Sequence, residues 1–156
     1  MPGEPVEILI VTAALGCGLA AGVFFAFSSF VMPALARLPA AQGIAAMQAI
    51  NVAAITPVFM TALFGTAVAC AVLAAWALVR RPPEAPLVLG GGVLYLAGTI
   101  LVTIVGNVPR NEALAGLEPA SPAAAERWAA FLRGWTAWNH VRTASALAAA
   151  ALLALA

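Results

Sequence analysis

The sequence has no lysine and no aspartate, a single histidine, a single tyrosine and two cysteines. Charged residues make up 8% of it, where a soluble domain carries roughly 25%, so there is too little polar surface to face water on all sides. With 64% hydrophobic residues and a mean hydropathy of +1.04, lipid is the solvent this composition fits. A formal charge of +1 leaves no basic surplus to neutralise phosphates, which argues against a nucleic-acid partner. One histidine without aspartate excludes a multi-histidine metal site built from one chain, so no metal ligands are assigned. A haem on a single histidine stays open, although no motif points to one. Cys17 and Cys70 lie inside apolar runs with no spacing that calls for a disulfide, and they read as inert core residues. No serine or cysteine sits in a nucleophile motif.

What is present is a set of apolar runs within one domain, residues 1–156. They predict an all-α integral membrane four-helix bundle with spans at about 6–35, 56–79, 87–106 and 135–156. The first run, from Val6, is too long for a signal-peptide core and has an acidic flank in Glu4 and Glu7. It holds a small-xxx-small pair, Gly18 and Gly22, that lets a helix approach closely, within the bundle or in a homo-oligomer. An interfacial helix over Ala40–Ile50 precedes the second span, with Ile44, Met47 and Ile50 on one stripe. Arg80-Arg81-Pro82-Pro83-Glu84 is a stiff turn between the second and third spans. Asn107 to Pro119 reads as a polar linker. Ser121 with Pro122 is a helix start for an amphipathic helix carrying Trp128, Phe131 and Trp135, with Gly134 as a hinge into the fourth span.

Four spans bring Arg37, Asn51, Asn107, Arg110, Asn111, Trp138, Asn139, His140 and Arg142 to one end of the bundle, here called side two. The termini and Arg80-Arg81 lie on side one. The arginines of side two place it in the cytoplasm by the positive-inside rule, in a bacterial plasma membrane. Polar groups inside a membrane usually face the bundle interior and one another, so their convergence is read as a site. Asn107 and Asn111, Asn139 and Arg142, and Thr136 and His140 are pairs spaced to share a helix face. The pocket they suggest is apolar and aromatic and suits a hydrophobic aromatic ligand. In it His140 could take a proton, while Arg142 or Arg110, with Asn107, Asn111 and Asn139, could hold an oxyanion. The other class of reading is a non-enzymatic membrane protein that binds or carries a lipophilic molecule, or an accessory subunit.

Phe27-Ser28-Ser29-Phe30-Val31-Met32-Pro33-Ala34-Leu35, the Met47–Asn51 turn, Asn107-Val108-Pro109-Arg110-Asn111-Glu112-Ala113-Leu114 and Trp138-Asn139-His140-Val141-Arg142-Thr143 together resemble the anthrone oxygenase-like family of small four-span membrane proteins. The resemblance implies a monooxygenase that oxidises an anthrone to an anthraquinone with molecular oxygen and no added metal or flavin. It would make His140 the catalytic base, with Arg142, Asn107 and Asn139 as donors to the phenolate and ketone oxygens. Trp135 and Trp138 would wall the ring, and Asn51, Arg110 and Asn111 would complete the substrate pocket.

Overall fold

In lipid a backbone must satisfy its own hydrogen bonds, so long apolar runs commit to helix. The structure, a computed structural model, describes residues 3–156, which form helices and connecting turns with no strand among them. We label the helical stretches α1 (Glu4–Leu35), α2 (Ala40–Ala53), α3 (Pro57–Arg80), α4 (Ala85–Ala115) and α5 (Ala124–Ala154). Of these, α1, α3 and α4 are long and apolar enough to cross a membrane. Helix α5 packs lengthwise on α1 and α4. Local chemistry sets the ends. Pro5, Pro57 and Pro86 sit in first turns, where their missing N–H is no loss. Thr56 caps α3 by accepting from the Phe59 N–H at 3.2 Å. Arg81 closes α3 in the left-handed region (φ 47°), and Pro82-Pro83 prevents continuation.

Two boundaries differ from the sequence reading. The amphipathic helix and the fourth run are one uninterrupted helix, Ala124–Ala154, with no hinge at Gly134. Gly134 is packed under Arg110, whose Nε lies 2.9 Å from where a Cβ would be, so tertiary contact overrides glycine's weak helix propensity. Ser121 is not the cap; its carbonyl accepts from the Ala124 N–H at 3.0 Å while its hydroxyl is buried without a partner. The second difference is that α4 runs on through Pro109 to Ala115. It crosses the proline directly after a π turn, with Arg110 Nη1 donating back to the Gly106 carbonyl at 2.6 Å.

Two apolar cores stack along the bundle. One joins α1, α3, α4 and α5 around Cys17, Cys70, Leu73, Val88, Tyr95 and Ala149. The other gathers Met32, Ile44, Met47, Leu114, Trp128 and Phe131 beneath α2. Gln48 ties α2 down by donating from Nε2 to the carbonyls of Leu114 and Leu117 at 2.8 and 2.9 Å, where the intrahelical donors of α4 run out. Between the cores, α1, α4 and α5 each contribute polar residues. Their sequence runs from Phe24 through Ser28 to Met32, from Tyr95 through Thr99, Thr103 and Asn107 to Leu114, and from Ala146 back through Arg142 and Asn139 to Trp135. Three π turns, at Phe27–Val31, Leu96–Leu101 and Thr103–Asn107, lie at this level. Each inserts a residue and shifts the helix face, a device common at functional sites. A side chain at Gly98 would overlap Ser145, so α4 and α5 run close together here.

Candidate functional site

The polar layer is a connected network. Asn139 donates from Nδ2 to the Phe24 carbonyl and to Ser28 Oγ, both at 2.7 Å. Its Oδ1 accepts from Arg142 Nη2 at 2.7 Å, and Arg142 Nη1 donates to Thr103 Oγ1 at 3.3 Å. The Arg142 Cζ stands 4.3 Å from the Phe24 ring and 5.2 Å from the Trp135 ring, within cation–π range. Trp135 is held at both ends: its carbonyl accepts from Asn107 Nδ2 at 3.1 Å, and its indole N–H donates to Asn111 Oδ1 at 2.8 Å. Asn139 and Asn107 are fully enclosed, and Arg142 is 6% exposed. Three polar atoms of this layer are buried without a partner: Arg142 Nε, Asn107 Oδ1 and Thr99 Oγ1.

The structure therefore joins five of the residues singled out from sequence, and more loosely a further two. Asn107, Asn111, Trp135, Asn139 and Arg142 form the network. Arg110 and Trp138 flank it, the guanidinium 5.8 Å from the indole centre and the indole packed on Gly106, where a Cβ would meet Trp138 Cδ2 at 2.7 Å. Asn51 makes no hydrogen bond to any of them; it lies half-buried on α2 with Nδ2 enclosed and unpartnered. Arg37 is exposed.

His140 is elsewhere. Each residue of an α-helix turns the face by about 100°, so His140 lies roughly 100° from Asn139 and 200° from Arg142. The imidazole is exposed and stands in an open groove of about 400 Å³ on the outer side of α5. The groove runs between the end of α1 (Met32, Pro33, Ala36) and one wall of α5 (Leu132, Arg133, Thr136, Ala137, His140). The base and the buried donors of α5, which the sequence reading places together, occupy different faces of that helix. The groove brings its own polar groups: Thr136, four residues before His140, and Arg133, which sequence reasoning did not single out.

Sequence reasoning also missed Phe24, Ser28, Thr99 and Thr103. A signal was available for the last two: Thr99, Thr103 and Asn107 recur every four residues in an otherwise apolar run. Chemically, the interior layer offers N–H donors around a buried cation and no base. The groove offers an accessible imidazole beside a cation and a hydroxyl. Among the described residues, no three His, Cys, Asp or Glu side chains converge as metal ligands would.

The family model described as anthrone oxygenase matches residues 58–152, which takes in α3, α4 and nearly all of α5. No curated protein and no solved structure matches the chain. The matched stretch covers well over half of the sequence and contains both Asn107-Val108-Pro109-Arg110-Asn111 and Trp138-Asn139-His140-Val141-Arg142, so the chain belongs to the anthrone oxygenase family.

Proposed function

We propose that this chain is a membrane-embedded oxygenase acting on a hydrophobic aromatic substrate of the anthrone class, and that the reaction runs in the groove around His140. The observation that supports this is the placement of the one imidazole: exposed, in an apolar groove, with Arg133 and Thr136 on the same wall. A volume of about 400 Å³ is in the range of small-molecule sites. An anthrone has an acidic ring methylene. His140 takes one of its protons, and the electron pair moves onto the ketone oxygen, for which Arg133 and Thr136 are the donors in reach of the groove. The electron-rich anion reduces molecular oxygen by one electron, and the two radicals couple to a peroxide at the same carbon, which the imidazolium protonates. His140 then removes the second methylene proton, the O–O bond breaks as the carbonyl forms, and the expelled hydroxide takes the proton back. One CH₂ and one O₂ give one C=O and one water. Oxygen is the co-substrate, and the scheme calls for no metal or flavin. In this reading Asn107, Asn139 and Arg142 position α5 and do not touch the substrate.

The groove works only if α5 lies in the membrane, and we infer that it is the fourth crossing. Its buried cation, Arg142, faces inward, and the residues exposed beyond His140, among them Val141, Leu147 and Leu155, are apolar. The C-terminal end of α5 meets the N-terminal end of α1 around Glu7, Ile10, Leu153 and Ala156, so an even number of crossings fits. The helix α2 and the first turns of α5, with Trp128, then lie at the interface of side two. Arginine surplus puts that side in the cytoplasm of a plasma membrane.

The test is oxygen uptake and quinone absorbance by the protein in nanodiscs supplied with an anthrone. His140→Ala lowers turnover by about 10²–10⁴, the usual contribution of a positioned base. Arg133→Gln raises KM more than it lowers kcat. Full turnover by His140→Ala removes the base assignment. Saturable anthrone binding without oxygen uptake by the native protein would leave the carrier reading, which the openness of the groove also favours.

A further inference from the structure

We propose that the interior polar layer is a second binding site, separate from the groove, for a small planar monoanion of the carboxylate kind held edge-on by Arg142. The inference does not depend on the oxygenase reading. It starts from charge. The hydrogen-bond acceptors of Arg142 are Asn139 and Thr103, both neutral. The chain has six glutamates and no aspartate; Glu4, Glu7 and Glu84 belong to the opposite end, and Glu112, Glu118 and Glu126 are exposed while Arg142 is buried. A cation enclosed between two apolar cores without a counter-ion is costly, and such groups are normally paired.

Donors and shape narrow the ligand. The Nε–H of Arg142 is buried and has no acceptor, and the two bonds from Nη1 and Nη2 leave further N–H groups unused. The Phe24 and Trp135 rings lie over the guanidinium at 4.3 and 5.2 Å, so what remains open to a ligand is its plane. An in-plane fork of N–H groups matches a carboxylate, whose single charge the one cation balances, whereas a dianion in the same fork would leave a buried negative charge uncompensated. Thr99 Oγ1 and Asn107 Oδ1, also buried and unpartnered, flank Thr103 by four residues on either side along α4. They supply partners for a hydroxyl or a water accompanying the anion, as bicarbonate would bring. The same donors would take a free carboxylate or the anionic oxygen of an aromatic substrate, and the second source would move the substrate from the groove to this layer.

The experiment uses the full chain in nanodiscs of zwitterionic lipid, with thermal unfolding followed by tryptophan fluorescence. Sodium formate is titrated against sodium sulfate at constant ionic strength, and in a second arm a 9-anthrolate analogue replaces formate. Native protein gains a saturable rise in Tm with formate, roughly 5–10 °C at a hundredfold excess over Kd. Arg142→Gln loses the rise and His140→Ala keeps it, which separates this site from the groove. Because Arg142→Gln can fail to fold, Thr103→Asp is the second variant. It puts a carboxylate where Nη1 already donates, so it raises the anion-free Tm and abolishes the formate response. A response to the anthrolate alone assigns the anion to the substrate and overturns the free-carboxylate source. No saturable response of the native protein to either ligand, or an undiminished formate response in Thr103→Asp, overturns the site.

Discussion

Replacing Asn139 with alanine removes three hydrogen bonds that tie α5 to α1 and to its own buried cation. Two are neutral, from Nδ2 to the Phe24 carbonyl and to Ser28 Oγ, each 2.7 Å. Side-chain hydrogen bonds inside membrane bundles are worth about 0.6 kcal/mol on average and up to about 1.7, so this pair contributes roughly 1–3 kcal/mol. The third, from Arg142 Nη2 at 2.7 Å, involves a charge, and its loss leaves that guanidinium with Thr103 as its remaining acceptor. A charged bond adds about 1.5–3 kcal/mol. The expected destabilisation is therefore about 3–5 kcal/mol, measured by reversible unfolding in mixed micelles with tryptophan fluorescence as the probe. A double-mutant cycle with Arg142→Met sharpens it. Once the cation is gone part of the Asn139 penalty disappears, so the two changes should couple by about 1–3 kcal/mol. A loss below about 1 kcal/mol, or strict additivity in the cycle, would refute the view of the layer as one network that fixes the rotation of α5.

Further outcomes follow from the packing. Gly106→Leu drives a branched side chain into Trp138, whose Cδ2 is already 2.7 Å from a Cβ at that site, and should cost more than about 3 kcal/mol and shift the Trp138 emission; an unchanged Tm would contradict this packing. Gln48→Ala removes both bonds to the carbonyls of Leu114 and Leu117 and should lower stability by about 1–2 kcal/mol, with faster proteolysis between α4 and α5 as its local signature. Cys17 and Cys70 are both buried and reduced with sulfurs 3.9 Å apart, so a membrane-permeant oxidant should join α1 to α3 with loss of two hydrogens by mass spectrometry, and Cys17→Ser should abolish it.

Much of the architecture was legible because lipid leaves the chain few choices. Long apolar runs gave α1 and α3 close to their observed limits and the start of α4, and the Ile44, Met47 and Ile50 stripe of α2 turns inward, with Ile44 and Met47 fully enclosed. Helical spacing also found real partners. Asn139 and Arg142 hydrogen-bond to each other, Asn107 and Asn111 grip the two ends of Trp135, and Thr136 shares a groove with His140. What failed was grouping by depth without regard to face. Trp135, Asn139 and Arg142 are spaced by four and three residues and share the inner side of α5, while Thr136 and His140 make a different stripe. Gly134 and Pro109 misled for another reason. Both carry helix-breaking propensity; Gly134 is held in helix by a contact with Arg110 that only the folded chain brings about, and Pro109 sits directly after a π turn, where its missing N–H is tolerated. The role of Phe24 was invisible because a phenylalanine among three others in α1 gives no sign of which one lies over a cation.

The two faces of α5 are not independent. Rotating the helix by one residue would carry Asn139 away from the Phe24 carbonyl and bring His140 toward the interior, where the described layer has no acid to meet it. The hydrogen bonds of Asn139, Asn107 and Thr103 therefore set the direction in which His140 points, even though none of them touches it. The π turns contribute to the same end by bringing Ser28 from α1 and Thr103 from α4 to the level of Asn139 and Arg142. This explains why two short polar motifs, thirty residues apart in sequence, belong to one structural unit: Asn107 and Asn111 hold the Trp135 end of the helix whose outer face carries the imidazole. A substitution in the first motif should thus disturb the groove through α5, and a substitution of His140 should leave the interior layer intact.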